Sequence, residues 1–207
     1  LDDERVAKGA LWTGLLGTIA GTAVGNKMQF NSSDWVMTGI GLPLAGWHLG
    51  SWASIAQENG WFQRDEYDQA PGFVMTGMRL ASIGLGYAGY KYDLSANDSL
   101  FLGSSTVWGA CYGGLIPLAF GFDQNNPATQ HLMLSLVGSD VFLGVGSYMI
   151  SPKMGFDSRR AAIPQLLGLT GATVASLGTF LFTDTEQAFG LSALGGATAG
   201  LLGGALL

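Results

Sequence analysis

The sequence predicts an all-α protein, a membrane-embedded bundle of about seven glycine-rich antiparallel helices. Three observations lead there. Only 12% of the residues are charged, about half the usual share in a soluble domain. Long apolar stretches alternate with short polar connections. Glycine makes up 33 of 207 residues, against a usual share of about 7%, and it recurs inside the apolar stretches at helical spacing. With 48% hydrophobic residues and a mean hydropathy of +0.31, the chain is too apolar for disorder. It has too few charges to clothe a compact soluble surface.

The apolar stretches cover residues 9–26, 35–56, 71–91, 99–121, 131–151, 161–182 and 187–206. Each is close to the roughly 20 residues that a helix needs to cross a bilayer core. The first contains "LWTGLLGTIAGTAVG", in which Gly14, Gly17, Gly21 and Gly25 recur every three or four residues without a charge. The second follows Asp34 and carries Gly46, Gly50 and Ser54; the third follows Pro71, a residue suited to a first helical turn. The fourth follows Ser95 or Asn97, both good N-cap types, and carries the line Ser105, Gly109, Gly113, Pro117 and Gly121. The fifth starts at His131. The sixth and seventh follow Asp157 and Asp184, and the seventh carries Ser192, Gly196, Gly200 and Gly204. The connections, such as "KYDLSAND" and "TDTEQ", are short enough to make consecutive helices antiparallel neighbours.

Glycine in a helix interior costs about 1 kcal/mol relative to alanine, so its regular recurrence needs a return. Residues four apart share one helix face, and a face without side chains lets two backbones approach closely. In lipid, where the hydrophobic effect between helices is absent, such packing is a main source of association. In water the same glycines cost stability with less return. Two alternatives remain at this point. One is a soluble glycine-rich helical bundle. The other is an outer-membrane β-barrel, suggested by "SIGLGYAGYKYD" at Ser82 to Asp93. Barrel strands alternate apolar and polar residues, whereas "GLIPLAFGF" and "LLGLTGATVASLG" do not.

The net charge of −6 and a pI near 4.6 argue against nucleic-acid binding and against a polybasic lipid anchor. Cys111 stands alone in an apolar run, as a small packing residue would, and excludes an internal disulfide. The chain opens with "LDDERVAK", without an initiator Met, and is expected to be a processed form or a fragment of a longer chain. One glycine-rich membrane domain is expected over 1–207. With seven spans, one side carries Arg5, Lys8 and Arg64, with acids that include Asp65, Glu66, Asp68 and Asp123. The other carries Lys27, Lys91, Lys153, Arg159 and Arg160, which favours the cytoplasm for that side. Trp35, Trp61, Tyr67, Tyr90 and Tyr92 lie near stretch ends, where interfacial aromatics gather.

Two ionisable residues fall inside apolar stretches, Arg79 in the third and Asp140 in the fifth. Charge at membrane depth costs several kcal/mol and marks a candidate polar pathway. The pair therefore defines an alternative function, a channel or transporter. His48 and His131 lack any metal-ligand spacing, so no metal is expected. No nucleophile elbow, phosphate loop or dinucleotide fingerprint is present, and neither an enzyme nor a cofactor is expected. Pro43, Pro117 and Pro164 lie within apolar stretches, a placement that membrane helices tolerate.

A short repeat links three segments. "DERVAKGALWTG", "DSRRAAIPQLLG" and "DTEQAFGLSALG" align without gaps on an Asp, an Ala and a closing Gly. In addition, "GYKYDLSANDSLFLGSSTVWGACYGG", Gly89 to Gly114, resembles the glycine-rich repeats of poorly characterised bacterial envelope proteins. Those repeats alternate a glycine-zipper helix, a "DLS"-type loop and a helix with a small-residue, Trp, Gly element, here Ser105, Trp108 and Gly109. The resemblance implies a bacterial envelope location and no particular activity. The expected role is a non-enzymatic membrane scaffold or assembly subunit. Its helix-packing residues would be Gly14, Gly17, Gly21, Gly25, Gly109, Gly113, Gly196, Gly200 and Gly204. Its partners would be the lipid membrane and either further copies of itself or other envelope subunits.

Overall fold

Every predicted stretch is a helix in the computed structural model, which describes residues 2–61, 70–122 and 127–207. The helices are α1 (Asp2–Met28), α2 (Ser32–Glu58), α3 (Ala70–Tyr92), α4 (Ala96–Phe120), α5 (Pro127–Met149), α6 (Ala162–Phe180) and α7 (Glu186–Ala205). A 3-10 turn at Ser158–Ala161 leads into α6. Among the described residues there is no strand, which overturns the barrel alternative. The physical reason is periodicity: small residues four apart line one side of a helix, and the long stretches lack the polar alternation of a half-wet strand. Arg64, Asp65, Glu66, Tyr67, Asp68 and Asp123, used above for orientation and belt, lie outside the described residues.

The helix ends follow local chemistry. α1 begins at Asp2, well before its apolar stretch. The cap of α2 is Asn31 rather than the expected Asp34. Its side chain accepts from the Ser33 and Asp34 amides at 2.8 and 3.1 Å, while Asp34 accepts from the Asn31 amide at 2.8 Å. This reciprocal box satisfies donors that α2 cannot bond internally, and Asp34 is fully buried within it. Ser95 and Asp98 repeat the arrangement at α4, with bonds of 3.1 and 3.0 Å. Asp157 caps the 3-10 turn through the Arg159 amide at 3.1 Å. α7 starts after Thr185, which makes no side-chain cap bond. Gly121 ends α4 with φ 63°, and the Phe122 amide returns to the Pro117 carbonyl at 3.2 Å. Replacing Asn31 with Ala is expected to cost about 1 kcal/mol. Thermal unfolding in detergent checks this, and Asn31→Asp should restore most of the loss.

The chain forms two compact units, one ending at Gly103 and the next beginning at Ser104, so the boundary falls inside α4. In the first unit α3 packs on α2 and on α1. Gly41 faces Ser82 and Leu85 while Gly89 faces Asp34 and Met37, so α2 and α3 run antiparallel. In the second unit α6 packs on α7. Gly168 meets Leu201 and Gly204 meets Pro164, which makes that pair antiparallel too. Pro164 occupies the first turn of α6, where its missing N–H is harmless, whereas Pro43 and Pro117 lie inside α2 and α4.

Three helical segments are long and apolar enough to cross a membrane: Thr129–Met149, Ser158–Phe180 and Glu186–Ala205. They point to a membrane location. Among the described residues, three helices rather than about seven are apolar enough to span. Glycine, serine and tryptophan dilute the hydropathy of α1 to α4, and α1 and α3 carry charged residues.

Candidate functional site

At several glycines, neighbouring helices approach backbone to backbone. On α4, a Cβ at Gly109 would fall 2.6 Å from the carbonyl carbon of Gly138 on α5, and also against the Gly138 carbonyl oxygen. A Cβ at Gly138 would in turn strike the Gly109 carbonyl oxygen. One turn on, a Cβ at Gly113 would lie 2.9 Å from the Ser135 Cα. The same reciprocity joins α6 to α7, where Gly171 and Gly196 each occupy the space of the other's missing side chain. Gly200 lies against Leu167 and Gly168, with a Cβ 2.8 Å from the Gly168 Cα, and Gly204 abuts Pro164. At such separations backbone touches backbone, and Cα–H groups can approach carbonyl oxygens. Any side chain would force the helices apart.

The glycines of α1 serve a different purpose. Arg79 from α3 lies along Gly14 and Gly17, with a Cβ at Gly17 only 2.6 Å from its Cδ and one at Gly14 3.1 Å from Nη2. Gly21 makes ordinary contact with Ile83 at 3.6 Å, and Gly25 receives the Trp35 ring at 2.7 Å. The groove on α1 therefore takes side chains rather than another backbone. Arg79 belongs to the first unit. Asp140 belongs to the second and is exposed on α5.

Polar side chains tie the helices together between these approaches. Ser82 donates to the Thr38 carbonyl at 2.5 Å, linking α3 to α2. Ser135 donates to the Ala110 carbonyl at 2.9 Å, and His131 Nδ1 lies 2.6 Å from the Gly114 carbonyl. Gln165 donates to Ser104 at 2.5 Å, and the Tyr112 hydroxyl meets Thr198 at 2.8 Å. His48 bonds within its own helix, to Leu44 at 2.9 Å. Both histidines are thus engaged with backbone carbonyls. Among the described residues no three His, Cys, Asp or Glu side chains converge on a metal position. Sequence reading missed Gly138, Gly171, Ser135 and Gln165. Gly138 has no glycine three or four residues to either side, so no glycine spacing marks it, whereas Gly168 and Gly171 do show helical spacing.

Inside and outside are inverted relative to a water-soluble protein. Among the described residues, the buried apolar side chains are mostly alanines, with Met37, Ile55, Leu102 and Leu136 the larger ones. Ser51, Ser82, Ser99, Ser105, Thr106, Ser135 and Ser139 are buried beside them. The large apolar side chains face outward: Met133, Val137, Val141 and Val145 down α5, and Leu166, Leu169, Val174 and Leu177 on α6. Cys111 is exposed as well, one turn from exposed Val107, and is not the interior packing residue expected. A monomeric soluble protein rarely exposes such continuous apolar area. An open groove of about 490 Å³, lined by Ala172, Thr173, Ser176, Leu177, Phe180 and Phe189, continues this surface.

Fold and surface together define the class: an all-helical protein with small and polar residues inside, large apolar residues outside, and a membrane location. Comparison with known proteins adds no relative, since no protein-family model, no curated protein and no solved structure matches the chain.

The repeat aligned in the sequence does not place its closing glycines alike. Gly14 faces Arg79 and Gly168 faces Leu201 and Trp108, while Gly195 has nothing within 4 Å of a Cβ.

Proposed function

We propose that the chain is a non-enzymatic integral membrane scaffold, an assembly subunit of a bacterial envelope complex that packs through small-residue helix faces. One observation carries this reading. α7 presents glycine on two sides. Gly196, Gly200 and Gly204 are filled by α6, whereas Gly195 and Gly203 meet no heavy atom within 4 Å of a Cβ. Exposed Ala199 lies between those two, so the outer side offers a small-residue face on a helix apolar enough to span. In lipid, another helix can approach such a face closely. The envelope assignment rests on the resemblance of Gly89 to Gly114.

The test is oligomer size in mild detergent. The wild-type chain should run as a defined oligomer, and Gly195→Leu with Gly203→Leu should reduce it to monomer while circular dichroism stays helical. A wild-type monomer, or an unchanged oligomer in the double variant, contradicts the reading.

A further inference from the structure

The net charge of −6 is unevenly distributed. The loop between α5 and α6, "SPKMGFDSRR" at 151–160, holds Lys153, Arg159 and Arg160 against the single acid Asp157. All four are exposed. The one ion pair among them, Arg160 to Asp157, spans 3.9 Å between side chains that are 87% and 54% exposed. A pair so open to water neutralises little. Exposed Met154 in the loop and exposed Ile163 at the start of α6 add apolar side chains beside the cations. The far end of the α6–α7 hairpin has the opposite sign: "LFTDTE" at 181–186 carries Asp184 and Glu186 and no cation. Lys153 falls between the candidate spans Thr129–Met149 and Ser158–Phe180, and Arg159 and Arg160 fall in the first residues of the second, which would set all three at the headgroup level of a bilayer.

We propose that the α5–α6 loop is an anionic-lipid headgroup surface, with Lys153, Arg159 and Arg160 engaging lipid phosphates and Met154 inserting beside them. Charge complementarity selects this occupant. Cations near an anionic leaflet each contribute a favourable attraction, and flanking apolar side chains hold them at the boundary. The inference rests on the spanning of α5 and α6 and goes beyond the scaffold reading, because it names the lipid class and the residues that meet it.

The experiment uses the full chain reconstituted in phosphatidylcholine vesicles with a trace of spin-labelled lipid. The quantity read is the motionally restricted fraction of labelled phosphatidylglycerol relative to labelled phosphatidylcholine. With one cation engaged per headgroup, the expected ratio is about fivefold. It should fall to about one in K153Q/R159Q/R160Q, stay high in K153R/R159K/R160K, and rise in D157N, which retains a side-chain cap for the Arg159 amide. Millimolar inorganic phosphate should leave it unchanged; abolition by phosphate would mean a free-anion site and overturn the lipid assignment. Selectivity that is absent, or that survives the triple glutamine variant, overturns the proposal while leaving the spanning reading intact. Failure of the chain to enter the vesicles overturns both.

Discussion

Replacing Gly200 with leucine is expected to separate α6 from α7. A Cβ there would lie 2.8 Å from the Gly168 Cα and against the Leu167 carbonyl. Both obstacles are backbone, so no rotamer change relieves the clash. Overpacking of this kind costs typically 1–3 kcal/mol and more where the surroundings are rigid, so about 3 kcal/mol or more is expected here. For a chain of this size, that lowers the thermal midpoint by roughly 6–12 °C. Gly200→Ala should already destabilise. Gly144→Ala on α5, away from the proposed assembly face, supplies the contrast: nothing lies within 4 Å of its Cβ, so removing a helical glycine should stabilise by up to about 1 kcal/mol. The two alanine variants should move the midpoint in opposite directions. Equal shifts would mean that the α6–α7 approach is not backbone to backbone.

The second large effect distinguishes lipid from water as the solvent of the outer surface. Val137 and Leu169 are 57% and 59% exposed near the centres of α5 and α6. On a water-facing surface, a change to arginine would stay within about 0.5 kcal/mol. At the centre of a membrane span it costs about 2.5–3.5 kcal/mol in insertion. Val137→Arg and Leu169→Arg should each therefore lower the ratio of inserted to uninserted chain by about 50-fold or more in an insertion assay. A soluble bundle would tolerate both and become more soluble.

These effects show what the sequence made legible. The seven apolar stretches correspond to α1 through α7 because each is bounded by turn or capping residues, and hydropathy identifies the part of a helix that avoids charge. It does not identify the charged first turns, so α1 began earlier than expected. The lines Gly109–Gly113 and Gly196–Gly200–Gly204 were readable as faces because four-residue spacing is a property of one helix. What they would face was not readable. Contact partners are set by how helices pair, and Gly138, with no glycine three or four residues away, carries no periodic signal. The groove on α1 shows the same limit. Gly14 and Gly17 resemble the others in sequence, yet they make room for the long side chain of Arg79. The outward position of Cys111 was hidden for a related reason: in an apolar helix, sequence alone does not say which side meets its neighbours.

The central claim is that these helices lie in a bilayer, with the large apolar side chains facing lipid. Alkaline carbonate extraction of membranes from cells expressing the full chain tests it most directly. The account predicts that the protein stays in the membrane pellet and is released only by detergent. Release into the carbonate supernatant as a folded helical protein would contradict it.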